Sequence, residues 1–99
     1  MKLNIIAFDG DGIGPEIVSS TLDIINLLNS KLKLEIEIQR EILGFNLLKK
    51  NGVTFTDDLL LKSKEADGII LGPVDHNAYP SLSNGGINPS AKLRIELDL

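Results

Sequence analysis

A nearly continuous apolar run, Leu3, Ile5, Ile6, Ala7 and Phe8, stops abruptly at Asp9-Gly10-Asp11-Gly12-Ile13-Gly14-Pro15-Glu16. An apolar stretch without polar alternation reads as a strand covered on both faces, the kind found inside a parallel sheet. Pro15 then stands where a helix can begin, since proline has no N–H to leave unsatisfied there, and Glu16 faces the positive helix end. Ile17, Thr21, Ile24 and Leu28 fall at one helical spacing, and Val18, Leu22 and Ile25 at a second. So wide an apolar stripe predicts a helix lying flat on a sheet. A strand, a glycine loop and a helix in this order place the chain in the α/β class.

The remaining pattern agrees. Leu32, Leu34, Ile36 and Ile38 alternate with Lys31, Lys33, Glu35 and Glu37, which predicts a strand with one wet face near a sheet edge. A short helix is expected over 45–50, with Gly52 as its left-handed cap. Thr56 is placed to cap a further helix carrying Leu59, Leu60 and Ser63. Residues 68–72 read as a short buried strand. From Pro73 to Asn88 no periodicity survives, and patternless stretches of this length inside small domains are usually functional or disordered. Asn88 as N-cap and Pro89 at the first helical position open a last helix that puts Leu93 and Leu97 on one face. The predicted order is β-α-β-α-α-β-loop-α on a mostly parallel sheet. The chain stops at Asp98-Leu99 with no glycine, proline or polar tail, which reads as a cut through a longer sequence.

Composition removes several functions. The chain has 99 residues, enough for one small domain, and no cysteine, so disulfides, thiolate metal sites and a cysteine nucleophile are excluded. The single histidine, His76, forms no zinc cluster and reads as a solvent-facing loop residue. A net charge of −4 disfavours nucleic acid as a partner, because neutralising phosphates needs clustered Lys and Arg. No apolar run is long enough to span a bilayer, and the N-terminus lacks a signal peptide's apolar region. A soluble cytoplasmic protein is expected.

Three readings of the glycine loop compete. As a G-x-G-x-x-G dinucleotide fingerprint it puts Pro15 where the third glycine must pack against the strand, and two acids crowd a pyrophosphate. As the D-x-D-G of haloacid-dehalogenase-type phosphatases it makes Asp9 the nucleophile and Asp11 the general acid beside magnesium, but Ile13-Gly14-Pro15 departs from that family's usual continuation. The third reading covers more of the chain. Gly10-Asp11-Gly12-Ile13-Gly14-Pro15-Glu16 resembles the N-terminal signature of the isocitrate/3-isopropylmalate dehydrogenase family, the metal-dependent β-decarboxylating dehydrogenases. Ile70-Leu71-Gly72-Pro73-Val74 resembles the strand and loop beside that family's nicotinamide site, and residues 93–99 resemble the helix bearing its first substrate-binding arginine.

The resemblance implies a three-layer isopropylmalate-dehydrogenase-like fold, of which residues 1–99 are the N-terminal part, roughly the first quarter to third of a family member. It implies oxidation of a 2-hydroxy acid bearing a β-carboxylate by NAD or NADP, with Mg2+ or Mn2+ polarising the forming carbonyl, and a homodimer in full-length form. Arg94 becomes the first carboxylate clamp, since a planar guanidinium binds two oxygens at once. Its alternative is an i, i+4 surface pair with Asp98. Asn88, Ser90 and Ala91 fall where the family reads the substrate's variable group. They are small and polar, which disfavours a tight isopropyl pocket, yet Asn88-Pro89-Ser90 does not reproduce the isocitrate-type Ser-x-Asn either, so 3-isopropylmalate-, isocitrate-, tartrate- and homoisocitrate-type substrates stay open; Asn88 and Ser90 would serve equally to start the helix. Ile13, Gly72, Pro73, Val74 and Asp75 are implied to face the nicotinamide half of the cofactor. Residues 10–14 are expected to shape a tight turn rather than cradle phosphate, with Asp9 and Asp11 bonding turn amides. The family's catalytic tyrosine and lysine and its metal-binding aspartates match nothing here, and Tyr79 is in the wrong context. The chain alone is therefore expected to be inactive. A non-catalytic α/β module remains the further alternative.

Overall fold

Strand β1 (Lys2–Phe8) lies in the middle of a three-stranded sheet, flanked by β2 (Glu35–Glu41) and β3 (Gly68–Leu71), both parallel to it. The computed structural model describes residues 2–99. Four helices complete the expected order: α1 (Gly14–Lys31), α2 (Phe45–Asn51), α3 (Asp57–Glu65) and α4 (Pro89–Glu96). The alternation of β1 side chains sorts them into layers. Ile6 and Phe8 point into a core with Leu47 of α2, Leu59 and Leu60 of α3, Leu93 of α4 and Phe55. Ala7 points the other way, onto Val18 and Leu22 of α1. The sheet is thus sandwiched between one helix and three. Phe8 meets Phe55 edge-on, with ring centroids 6.2 Å apart. Burying each such side chain stabilises the fold by about 1.5–3 kcal/mol.

Caps follow the expected residues. Thr56 accepts from the Leu59 N–H at 3.2 Å, and Gly52 closes α2 at φ +77. Glu41 and Asp58 both reach Lys62, and these bonds, Glu41 first, hold its ammonium pKa above the ordinary value.

Three expectations are corrected. First, α1 covers the sheet along one stripe only: Val18 and Leu22 are buried with Ile25 against them, whereas Ile17, Ile24, Leu27 and Leu28 are exposed. A sheet of three strands is too narrow for the wider stripe, and among the described residues no other element packs on it. Second, Leu32 and Leu34 belong to a turn rather than to β2. Helix α1 continues to Lys31, Lys33 turns the chain at φ +52, and the Asn29 amide bonds both backbone groups of Ile36 at 3.2 Å, so pairing begins at Glu35. Third, β3 is only half-buried, because it forms an edge of this sheet. The patternless stretch has local structure of its own. It holds two single-turn 3-10 segments, His76–Ala78 and Leu82–Asn84. The fully buried Thr54 hydroxyl donates to the Ile87 carbonyl at 2.6 Å and accepts from the Ile87 N–H at 2.8 Å, pinning the loop's end to the body.

Helix α4 also ends before the chain does. Asp98 adopts φ +56 in place of a glycine, and the Leu99 N–H donates to the Arg94 carbonyl at 2.9 Å. Among the described residues no helix is long and apolar enough to cross a membrane.

Candidate functional site

In an open parallel sheet, ligands sit beyond the carboxyl ends of the strands, where loops diverge. Here the loops after β1 and β3 lie against each other at that end. Gly72 N–H continues the β1–β3 pairing to the Phe8 carbonyl at 2.9 Å, and Asp11 N–H donates to the Pro73 carbonyl at 2.7 Å. Gly10 makes this approach possible: it stands at φ +79, and a Cβ there would lie 2.3 Å from the Pro73 oxygen. The loop is therefore a packed turn, as expected.

The two aspartates diverge in role. Asp9 Oδ1 accepts from Arg40 Nε at 2.5 Å, and the same guanidinium reaches the Pro15 carbonyl at 3.0 Å and Ser19 Oγ at 2.9 Å. Asp9 therefore holds the guanidinium by which β2 is tied to the start of α1, instead of bonding turn amides. Asp11 is buried and does bond amides, though of distant segments: Oδ1 accepts from Phe45 N–H at 2.9 Å, and Oδ2 from Asp75 N–H at 2.9 Å and Tyr79 OH at 2.5 Å. Gly44, at φ +71, leaves room for that carboxylate; a Cβ would lie 2.2 Å from Oδ1. Tyr79 packs edge-on against Phe45, centroids 5.0 Å apart. Burial first, then the bond to Asp11 and its charge, pushes the Tyr79 phenol well above its ordinary pKa, so it stays a donor. This arrangement does not suit the phosphatase reading, because Asp9 is held by a guanidinium and Asp11 is buried beneath three donors.

Around this hub opens a cleft of about 360 Å³. Gly12 and Ile13 form one wall, Phe45 a second, and Pro73, Val74 and Asp75 a third, with Asp11 beneath. Ile13 is 64% exposed, facing outward rather than serving as core. Four of the five candidate cofactor residues therefore meet in one place. Gly72 does not line the cleft; it is buried behind it, against the Asp9 carbonyl.

The candidate substrate residues lie apart. Ser90 and Arg94 line a hollow of about 340 Å³ with Ile69, Leu71, Leu93 and Leu99. No residue lines both cavities, although Leu71 of one stands two positions from Pro73 of the other. Arg94 is exposed, and among the described residues its guanidinium has no ion-pair partner; the i, i+4 pair on α4 is Lys92–Glu96 at 3.6 Å. Asn88 Oδ1 accepts from the Ala91 N–H at 3.3 Å, the capping role. Asn88 does not line the Arg94 hollow.

Sequence reasoning missed Phe45 and Tyr79. A lone aromatic directly after Leu43-Gly44 and a lone tyrosine in a polar loop were the available signals, and neither reveals that Asp11 joins them. Among the described residues, no group of three or more His, Asp or Glu is placed to hold a metal ion.

The profile of the isocitrate/isopropylmalate dehydrogenase family matches residues 4–99. A 3-isopropylmalate dehydrogenase of Staphylococcus haemolyticus (strain JCSC1435) is 42% identical over 99 residues, covering 100% of this chain and 29% of the relative. One of Pseudomonas fluorescens (strain Pf0-1) is 31% identical, again over 100% of this chain and 28% of the relative. The chain thus spans under a third of the length of these relatives. In structure, a β-decarboxylating dehydrogenase from Thermococcus kodakarensis in its apo form superposes with a TM-score of 0.75 over 99% of this chain and 27% of that one, at 19% identity. With a family profile matched along nearly its whole length and the layered fold shared, the chain belongs to the isocitrate/isopropylmalate dehydrogenase family.

Proposed function

We propose that this chain contributes one substrate-clamping arginine and a wall of the nicotinamide site to a β-decarboxylating dehydrogenase of the 3-isopropylmalate type, oxidising a small anionic 2-hydroxy acid with NAD or NADP. The observation that carries this reading is the convergence of Ile13, Pro73, Val74 and Asp75, from loops far apart in sequence, on one cleft. The cleft suits a flat heteroaromatic ring. Ile13, Phe45, Pro73 and Val74 offer apolar surface for stacking, and Gly12 adds no side chain to obstruct it. When bound, the nicotinamide supplies the hydride acceptor. The chain's own part is to exclude water from that ring and to hold a carboxylate with Arg94, whose guanidinium is free to take two oxygens. The apolar wall of Ile69, Leu71, Leu93 and Leu99 beside Arg94 supports an aliphatic substituent on the acid, and so does the name carried by the relatives. Mg2+ or Mn2+ finds no three-ligand group among the described residues, so no step is assigned to it on this chain. The assembled enzyme is proposed to be a homodimer, and the chain by itself inactive.

The test joins these 99 residues to the unmatched remainder of the Staphylococcus haemolyticus relative and follows reduced nicotinamide with 3-isopropylmalate, isocitrate and tartrate. Turnover with 3-isopropylmalate above the other two is expected, and Arg94→Ala should lower kcat/KM by about 30- to 1,000-fold, as unpairing a bound carboxylate costs about 2–4 kcal/mol. A folded chimera inactive on all three acids would refute the function, and near-normal kinetics of Arg94→Ala would refute its role.

A further inference from the structure

We infer that Asp11 is the positioning residue of the nicotinamide cleft: a single buried carboxylate that bonds the cleft's other two walls to the glycine loop and so sets its width. This rests on the proposed function for the identity of the guest, though the bonding itself does not.

The three walls come from segments with no common secondary structure beyond the strand ends. Regular pairing fixes the loop after β1 only as far as Asp9, whose N–H donates to the Glu41 carbonyl at 3.2 Å, and the loop after β3 only as far as Gly72. Past those points one backbone bond, Asp11 N–H to Pro73 O, joins two walls. The further hydrogen bonds that link the walls pass through the Asp11 side chain. Its Oδ1 holds Phe45 N–H and its Oδ2 holds Asp75 N–H, so the second and third walls share one carboxylate. Tyr79 donates to the same Oδ2 and presses its ring on Phe45, bracing the two walls against each other from behind. Phe45 N–H is the first of α2 and has no carbonyl within the helix to bond, so the carboxylate is its acceptor. Gly44 is required by the same arrangement, because any side chain there would collide with the carboxylate.

Positioning differs from bulk stability in what it predicts. Asp11→Asn preserves size but turns one acceptor into a donor aimed at a donor, which pushes one wall away. Tyr79→Phe removes the brace and keeps both backbone bonds. The experiment titrates NAD into the 15N-labelled 99-residue chain and its variants, and measures amide exchange on the same samples. Wild type should show shift changes at Ile13, Val74 and Asp75. Asp11→Asn should weaken NAD binding by about tenfold or more while exchange accelerates selectively at Phe45 and Asp75, with the amides of β1 unchanged. Tyr79→Phe should give a smaller loss of the same pattern.

Equal NAD affinity in Asp11→Asn, uniform acceleration of exchange throughout the chain, or NAD-induced shifts confined to residues away from the cleft would each overturn the inference. So would absence of NAD binding to the folded wild-type chain. Should Asp11→Asn fail to fold, Tyr79→Phe decides alone: unchanged NAD affinity overturns the inference, and a selective loss supports it. Failure of the proposed function looks different: the chimera would oxidise no hydroxy acid while NAD shifts and selective exchange persist in the chain.

Discussion

Tyr79 is the only tyrosine of a chain without tryptophan, so its ionisation can be read by absorbance without interference. Its phenol donates to the buried Asp11 carboxylate at 2.5 Å. A hydrogen bond to a charged group nets about 1.5–3 kcal/mol, and the half-buried setting brings the expectation for Tyr79→Phe to about 1–2 kcal/mol of lost stability at neutral pH. The sign of the pH dependence follows from the raised pKa. The folded chain holds the phenolic proton more tightly than the unfolded chain, so the contribution is complete below about pH 10, the ordinary tyrosine value, and is lost as pH rises from there through the folded value. Asp11 is the chief reason apart from burial itself, since an ionised phenol would face its carboxylate. The assay is urea unfolding of wild type and Tyr79→Phe at neutral pH and again above the ordinary tyrosine value, alongside a spectroscopic titration of the folded and the urea-unfolded chain. Other groups titrate alike in both proteins and cancel in the difference. The gap between the two should shrink at high pH, and tyrosinate should form later in the folded chain. Identical titration curves folded and unfolded, or a gap independent of pH, would refute the reasoning.

Two further outcomes follow from the same geometry. Gly10→Ala should cost about 3 kcal/mol or more in urea unfolding, since the left-handed strain is joined by a clash with the Pro73 carbonyl, whereas Gly12→Ala, at φ +57 in open space, should cost only about 1–2 kcal/mol; equal losses would show that the loops do not touch. Thr54→Val keeps the shape of a fully buried side chain but strands the Ile87 N–H and carbonyl, and should cost about 2–4 kcal/mol and speed amide exchange at Ile87; a loss below about 0.5 kcal/mol would mean the hydroxyl does not pin the loop.

How much of this was legible depended on whether the signal was local. Leu3–Phe8 with the glycine loop, the Thr56 cap and the Gly52 terminator carry their conformations in neighbouring residues, and each of these features stands where expected. The β2 start was misplaced because alternation at Leu32 and Leu34 competes with helix propagation through Lys31, and the Asn29 amide settles the contest from seven residues away. The wide stripe of α1 announced apolar surface but not which half the sheet covers. In the cleft, Ile13 and residues 73–75 are singled out by resemblance to a family, whereas Asp11's bonds span 34, 64 and 68 residues and leave no periodic trace. Arg94 is singled out by motif alone; its freedom from Asp98 is a matter of rotamer and helix ending that spacing does not encode.

The central placement of β1 has a consequence for biosynthesis. Asn4 finds its bonding partner Asp67 only 63 residues later, and both neighbours of β1 are parallel, so no tight hairpin can shelter it meanwhile. At a ribosomal pace of about 5–20 residues per second, this apolar segment of the nascent polypeptide waits several seconds for its second neighbour. Ile6, Ala7 and Phe8, which the finished fold buries almost completely, stay uncovered on one side for that interval.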